Sequence, residues 1–109
     1  MTVKTLCEKL GRKALNLADE TREVTCGYAG DLLSWVMGRA KENCAWVTIM
    51  TNVSVIAVAS LADVSCVVLS EGVLPDEQML AAAQQKEINL LQSEKDTFAL
   101  CADVAELIK

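Results

Sequence analysis

The chain has 109 residues, 52% apolar and 23% charged, with 5 glycines and 1 proline; this describes one domain able to bury a core and excludes a disordered chain. Ten basic against fifteen acidic residues leave a net charge of −5, which disfavours nucleic acid and anionic membranes, since both are bound by Lys and Arg neutralising phosphates. Histidine is absent, which removes the usual general base, the Ser–His and Cys–His nucleophile pairs, and most zinc and non-haem iron sites.

Thr2 or Thr5 opens a short helix in which Leu6 and Leu10 recur at i, i+4 and which Gly11 stops. Ala14 to Leu17 reads as a short strand; after the polar turn at 18–22, a second strand spans Glu23 to Cys26 and ends at Gly27. From Asp31 to Ala40, the apolar positions Leu32, Leu33, Val36, Met37 and Ala40 follow the helical period of about 3.6 residues, with Lys41, Glu42 and Asn43 as the exit turn. Ala45 to Met50 is β-rich and apolar on both faces, as in a strand covered by helices on two sides. The next segment, to Val64, carries β-branched side chains that suit a strand. Thr51 and Asn52 nevertheless form an N-cap, and Val53, Ile56, Ala57, Ser60 and Leu61 fit a helical face, so it is read as a helix. Ser65 to Ser70 is a strand ended by Glu71 and Gly72. Pro75 sits where first-turn prolines sit, followed by Asp76 and Glu77 at the positive end of the dipole of a helix running through Met79, Leu80 and Ala83 to about Lys86. Ile88 to Gln92 is a further strand. Ser93 to Asp96 resembles a capping box that opens a last helix with Phe98, Cys101, Val104, Ala105 and Ile108 on one stripe. Helices that return the chain between buried strands imply right-handed parallel crossovers. The expected fold is α/β, a small, mostly parallel sheet between two helical layers, forming a single domain over 1–109.

The first residues, MTVKTLCEKLGRKALNL, lack the apolar run of a signal peptide. The most apolar stretch, Val53 to Leu69, is interrupted by Ser54, Ser60, Asp63 and Ser65, whereas a bilayer span needs roughly 20 mostly apolar residues. A cytoplasmic protein is expected. The five cysteines lie at least 18 residues apart, so no CxxC anchors zinc, an iron–sulfur cluster or a thioredoxin-like couple; they read as buried or incidental thiols of a reducing compartment.

The segment DETREVTCGYAGDLLS, from Asp19 to Ser34, resembles the DRTGG domain family: the letters occur in order as Asp19, Arg22, Thr25, Gly27 and Gly30, with Cys26 interrupting the T–G step. The segments from Trp46 to Gly72 and from Leu74 to Ser93 look like the remainder of that domain, so the chain resembles a stand-alone copy of it. The family is similar to the N-terminal domain of HPr kinase/phosphorylase and, more distantly, to that of MurF-type ligases. The resemblance implies an α/β domain with a regulatory or ligand-sensing role, often accessory to CBS-type sensor modules. It does not imply kinase activity, because the kinase chemistry belongs to a separate P-loop domain and no GxxxxGK[ST] occurs here.

In open parallel sheets, ligands sit outside the carboxyl ends of the strands. Three such ends carry polar, flexible residues: Cys26 to Asp31 after the second strand, Thr51-Asn52 after the third with Ser54 one turn in, and Ser70-Glu71-Gly72 after the fourth. Glycines allow close backbone approach, and free N–H groups at a helix start hold a phosphate or carboxylate. On this reading Thr25, Gly27, Tyr28, Gly30, Thr51, Asn52, Ser54 and Gly72 line a site for a nucleotide or other anionic metabolite. Asp31 and Glu71 oppose an anion, and the loops hold no Lys or Arg, so Arg22 or Arg39 would have to reach over. The plainer account is that Gly27 and Gly30 make a turn and Thr51 or Asn52 caps a helix. Trp46 and Phe98 are expected in the core, and so is Trp35, although Tyr28 and Trp35 could also stack a base or fill a partner's pocket. The carboxylate pairs Asp19/Glu20 and Asp76/Glu77 read as turn and helix-start residues.

No catalytic residue, metal or cofactor is expected. The reading is a non-catalytic regulatory or ligand-sensing module without nucleic-acid or membrane partners. It is expected to be a homodimer, because so small a chain covers its sheet poorly, and a partner protein is a further candidate. The alternatives are a small thiol-redox protein or enzyme in which backbone N–H groups activate Cys26, and a scaffold subunit with no small ligand.

Overall fold

Strands with no polar face dictate the architecture seen in a computed structural model of the chain, which describes residues 1–11 and 13–109. The elements in order are α1 (Val3–Leu10), β1 (Lys13–Asn16), β2 (Cys26–Ala29), α2 (Leu33–Arg39), β3 (Cys44–Thr48), α3 (Val53–Ala62), β4 (Cys66–Leu69), α4 (Glu77–Gln85), β5 (Leu90–Gln92) and α5 (Thr97–Leu107). The sheet order is β1-β5-β4-β3-β2, with β2 through β5 parallel and β1 antiparallel to β5. Every residue of β3, β4 and β5 is buried, as expected of strands covered on both faces. On one face Trp46, Val67, Leu69 and Leu90 pack against α2, α3 and α4; on the other, Ala45, Val47, Val68 and Leu91 pack against α1 and α5. The α/β reading, with a mostly parallel sheet between helical layers, therefore holds.

Local chemistry explains the helix ends. Thr2 caps α1 by accepting from the Thr5 N–H, and Gly11 ends it in the left-handed conformation at φ 60°. Asn52 caps α3 and Asp76 caps α4, each accepting a backbone N–H of the first turn. The apolar segment after Asn52 is thus a helix, but its buried side chains are Val55, Ile56, Val58 and Ala59, while Val53 and Leu61 are exposed.

Four expectations are corrected. The second strand runs from Cys26 to Ala29, not Glu23 to Cys26, because residues 22–24 pair with the start of the chain: Val3 N–H donates to Arg22 O and Val24 N–H to Met1 O. Gly27 therefore lies inside a strand instead of ending one. The last helix is capped by Asp96, with Ser93 buried and bonded to the Lys95 N–H. Its buried line is Leu100 and Val104, so Phe98, about 200° of helical rotation from Leu100, is 86% exposed instead of in the core. Trp35 is also exposed, with the Arg39 guanidinium one turn on stacked 4.0 Å from its ring centre. Trp46 is fully buried as expected, its indole N–H donating to Gly30 O at 2.9 Å.

The register of α5 is open to test by paired substitutions. Leu100→Ala should cost about 2–5 kcal/mol of stability in urea denaturation, whereas Phe98→Ala should stay within about 0.5 kcal/mol of the parent.

Candidate functional site

The carboxyl ends of β2 to β5 form one rim, and its short polar side chains are engaged mainly with backbone N–H groups. After β2, Gly30 N–H donates to Val47 O, and the Asp31 carboxylate accepts from the Thr48 hydroxyl at 2.7 Å and the Ile49 N–H at 3.0 Å. Asp31 thereby joins the ends of β2 and β3 and leaves α2 with Leu32 at its N-cap and no side-chain cap. After β3, the Asn52 side chain accepts from the Ser54 N–H at 2.9 Å.

After β4, the loop is clamped to the one after β5. Ser70 is buried and its hydroxyl bonds that of Thr97 at 2.7 Å; Glu71 N–H donates to Lys95 O, and its carboxylate accepts from the Thr97 N–H. Gly72 N–H donates to Ser93 O. Gly72 has φ +71°, a backbone conformation that favours glycine; a Cβ there would meet only the flexible end of the Glu94 side chain. The first turn of α5 is consequently capped by two carboxylates, those of Asp96 and Glu71.

Of the eight residues selected from sequence, Gly30, Thr51, Asn52, Ser54 and Gly72 lie on this rim. The other three do not. Thr25 lies at the opposite end of the sheet, where its N–H donates to Asn43 O. Gly27 and Tyr28 are inside β2 and face opposite sides of the sheet, Tyr28 packing on the core beneath α2 to α4 and Gly27 lying 3.5 Å (from an added Cβ) from Val104 of α5. The letters Asp19, Arg22, Thr25, Gly27 and Gly30 are likewise divided. Asp19 and Arg22 sit at the amino ends, where Arg22 donates to Asn43 Oδ1 and to the Asp63 carbonyl and carboxylate. Sequence reasoning missed Thr48 and Thr97, which join neighbouring loops; the one local sign of Thr48 is a hydroxyl closing an apolar strand.

Two concavities lie away from the rim. A groove of about 360 Å³ runs between β2 and α5, lined by apolar groups of Gly27, Ala29, Val47, Val104 and Ile108. A polar cleft of about 460 Å³ opens at the amino ends, among Asp19, Arg22, Asp63, Lys86 and Asn89. The Asn89 amide there is buried and satisfied, donating to Asp19 O and Ser65 O.

The thiols that sequence spacing kept apart are partly reunited. Cys26 and Cys44 are register partners on adjacent strands. Burial, then the neighbouring Cys26, pushes the Cys44 thiol up to about 11; burial, then Cys44 and Cys7, pushes Cys66 up to about 12. Both are therefore held protonated and poorly nucleophilic at neutral pH. Among the described residues, no group of three or more Cys, Asp or Glu could hold a metal ion, and no helix is long and apolar enough to cross a membrane.

The profile of the DRTGG domain matches residues 5–107. This chain belongs to the DRTGG domain family. The match reaches well beyond Asp19 to Ser34, taking in both helical layers and the whole sheet. Among solved structures, this DRTGG domain is similar to the crystal structure of the CBS and DRTGG domains of the regulatory region of Clostridium perfringens pyrophosphatase complexed with the activator diadenosine tetraphosphate. The TM-score is 0.77 at 12% identity, over 94% of this chain and 45% of that one, so the likeness is one of fold and the chain spans less than half of that structure. No curated protein matches the sequence.

Raised thiols tie stability to alkaline pH. The unfolded chain releases thiol protons near the ordinary value of 9.0, whereas Cys44 and Cys66 retain theirs to about 11 and 12. Stability from this source is whole below pH 9.0 and is lost as pH rises from there through 11 to 12. Urea midpoints measured on either side of pH 9.0 should fall with rising pH, and the fall should be shallower in Cys66→Ala than in the parent.

Proposed function

We propose that this DRTGG domain is a non-catalytic regulatory module of the cytoplasm that works by association, first of all with a second copy of itself through the edge of β2. The observation that carries the dimer is that edge. β2 is the outermost strand, its four residues Cys26, Gly27, Tyr28 and Ala29 bear no charge, and the apolar groove under α5 runs beside it. Edges are ordinarily blunted by Lys, Pro or a bulge. An acidic chain of net charge −5 repels its copy over most of its surface, and an uncharged strand paired about a two-fold axis gives a self-complementary contact.

Family membership, and the place of the similar DRTGG domain in a regulatory region, support the regulatory part. The rim supports the non-catalytic part: Asp31, Asn52, Glu71, Asp76 and Asp96 all accept backbone N–H groups, and buried Cys44 and Cys66 are held as thiols. Five free cysteines suit a reducing compartment.

The activator in the pyrophosphatase structure motivates a second reading, a nucleotide phosphate near Thr51 and Ser54. Asn52 already occupies the Ser54 N–H, and Asp31 and Glu71 bring negative charge to the same rim, so association takes precedence.

Sedimentation velocity at about tens of micromolar should find a dimer, and Ala29→Lys, which places a charge on the exposed edge, should convert it to monomer without changing the melting temperature of the monomer fold. A monomeric parent, or a variant that still dimerises, overturns the β2 reading. Thermal-shift measurements with ATP and diadenosine tetraphosphate should be flat; stabilisation of about 2.7 kcal/mol, as from a ligand at 100-fold its dissociation constant, would favour the nucleotide.

A further inference from the structure

Among the described residues, Cys26 and Cys44 are the cysteines that the sheet brings into register, on the adjacent parallel strands β2 and β3, and both are free thiols. Their side chains lie on the sheet face beneath α2 to α4, where Cys44 is buried in the core and Cys26 is half-buried against it. Cys66 pairs instead with Ala45 and belongs to the opposite layer, with Cys7 and Cys101. Neighbouring strands stand about 4.8 Å apart, inside the roughly 4.4–6.8 Å between Cα atoms that a disulfide spans. The two thiols are near enough to hydrogen-bond, and Cys26 follows burial among the causes that push Cys44 up to about 11. Because β2 is the outermost strand, Cys26 is also partly open to solvent. The Thr25 hydroxyl donates to its sulfur at 3.9 Å, and its thiol donates to Glu42 O at 4.0 Å.

We propose that Cys26 and Cys44 form a reversible thiol–disulfide site whose reaction partner is a small disulfide. The Cys26 thiolate attacks one sulfur of that molecule; its S–S bond breaks, a mixed disulfide forms on Cys26, and the other half leaves as a thiolate that takes up the Cys26 proton. Cys44 then attacks the Cys26 sulfur, the mixed disulfide breaks, and the second small thiol leaves with the Cys44 proton. Two protein thiols are thereby oxidised to one disulfide while one small disulfide is reduced to two thiols. Burial gives the two cysteines different parts. Cys44 is protonated at neutral pH and shut off from solvent, so it does not meet the oxidant, and the half-exposed Cys26 takes the first step. Register then holds Cys44 against the mixed disulfide, which makes closure intramolecular and faster than a second encounter in solution. The product ties the outermost strand to β3, and the free thiols of a reducing compartment reopen it by attack at the Cys26 side. The site goes beyond the association reading, because it lies on a sheet face and not on the strand edge, and a stoichiometric modification requires no turnover.

The probe is oxidised glutathione, added to the full chain at neutral pH; remaining thiols are alkylated and the unreduced peptides are mapped by mass spectrometry. The parent should yield a link between Cys26 and Cys44 that a reductant removes, with little glutathione left on Cys26. Cys44→Ser should instead accumulate the Cys26 adduct, about tenfold over the parent, and Cys26→Ser should leave Cys44 unmodified. Cys44 is buried, so Cys44→Ala serves as a second variant, and the map of the parent decides by itself if neither folds. Both thiols belong to one chain, so the yield of the link should not change on dilution. A glutathione adduct that persists on Cys26 of the parent, no reaction at Cys26, a link to a different cysteine, or a yield that falls on dilution overturns the proposal. Each of these leaves the β2 dimer to be judged by its own sedimentation result.

Discussion

Strands β3, β4 and β5 have no side they can show to water: every residue from Cys44 to Thr48, Cys66 to Leu69 and Leu90 to Gln92 is buried. Burying both faces of a sheet requires a helical layer on each, and joining parallel strands requires a crossover helix between them. From this follows the division of α2, α3 and α4 to one face and α1 and α5 to the other. It also follows that the strand ends that lead into helices lie together. Helix N-termini gather at that end, and capping them calls for Asp, Asn and Glu. The acidic character of the rim is therefore a by-product of the topology before it is anything functional.

What the rim adds beyond capping is cross-linking. Asp31 ties the end of β2 to β3, and Glu71, Ser70 and Gly72 tie the loop after β4 to the loop after β5. Loops held in this way present a fixed surface, and a fixed surface loses less freedom on binding than a mobile one. The β2 edge, formed by Cys26, Gly27, Tyr28 and Ala29, carries no charged side chain, whereas the rim carries several carboxylates that cap helices and join loops.

Much of the candidate site was legible in the residues, because capping and turn chemistry is local. Asn52 announces the start of α3 and Gly72 the turn after β4. Asp31 and Glu71 are visible as charges opposed to an anion, although their hydrogen bonds to Thr48, Ile49 and Thr97 are not. Tyr28 and Gly27 were misplaced because the turn chemistry of glycine is a tendency, and pairing of residues 22–24 with Met1 and Val3 moved the strand downstream. Cys26 and Cys44 are distant in sequence and adjacent in register, a relation that spacing along the chain cannot express.

The order and type of the elements, the helices on both sides of apolar strands, and the lack of histidine chemistry were determined by the sequence alone, since each depends on residue type and period within a short window. Tertiary structure alone decided which way each element faced. A strand shifted by one residue reverses its two faces, and a helix rotated by about 100° per residue exchanges a buried position for an exposed one. Local patterns tolerate both changes at little cost, and it is long-range contact that chooses between them. That is why Phe98 came to stand in solvent while Leu100, two residues on, is fully buried.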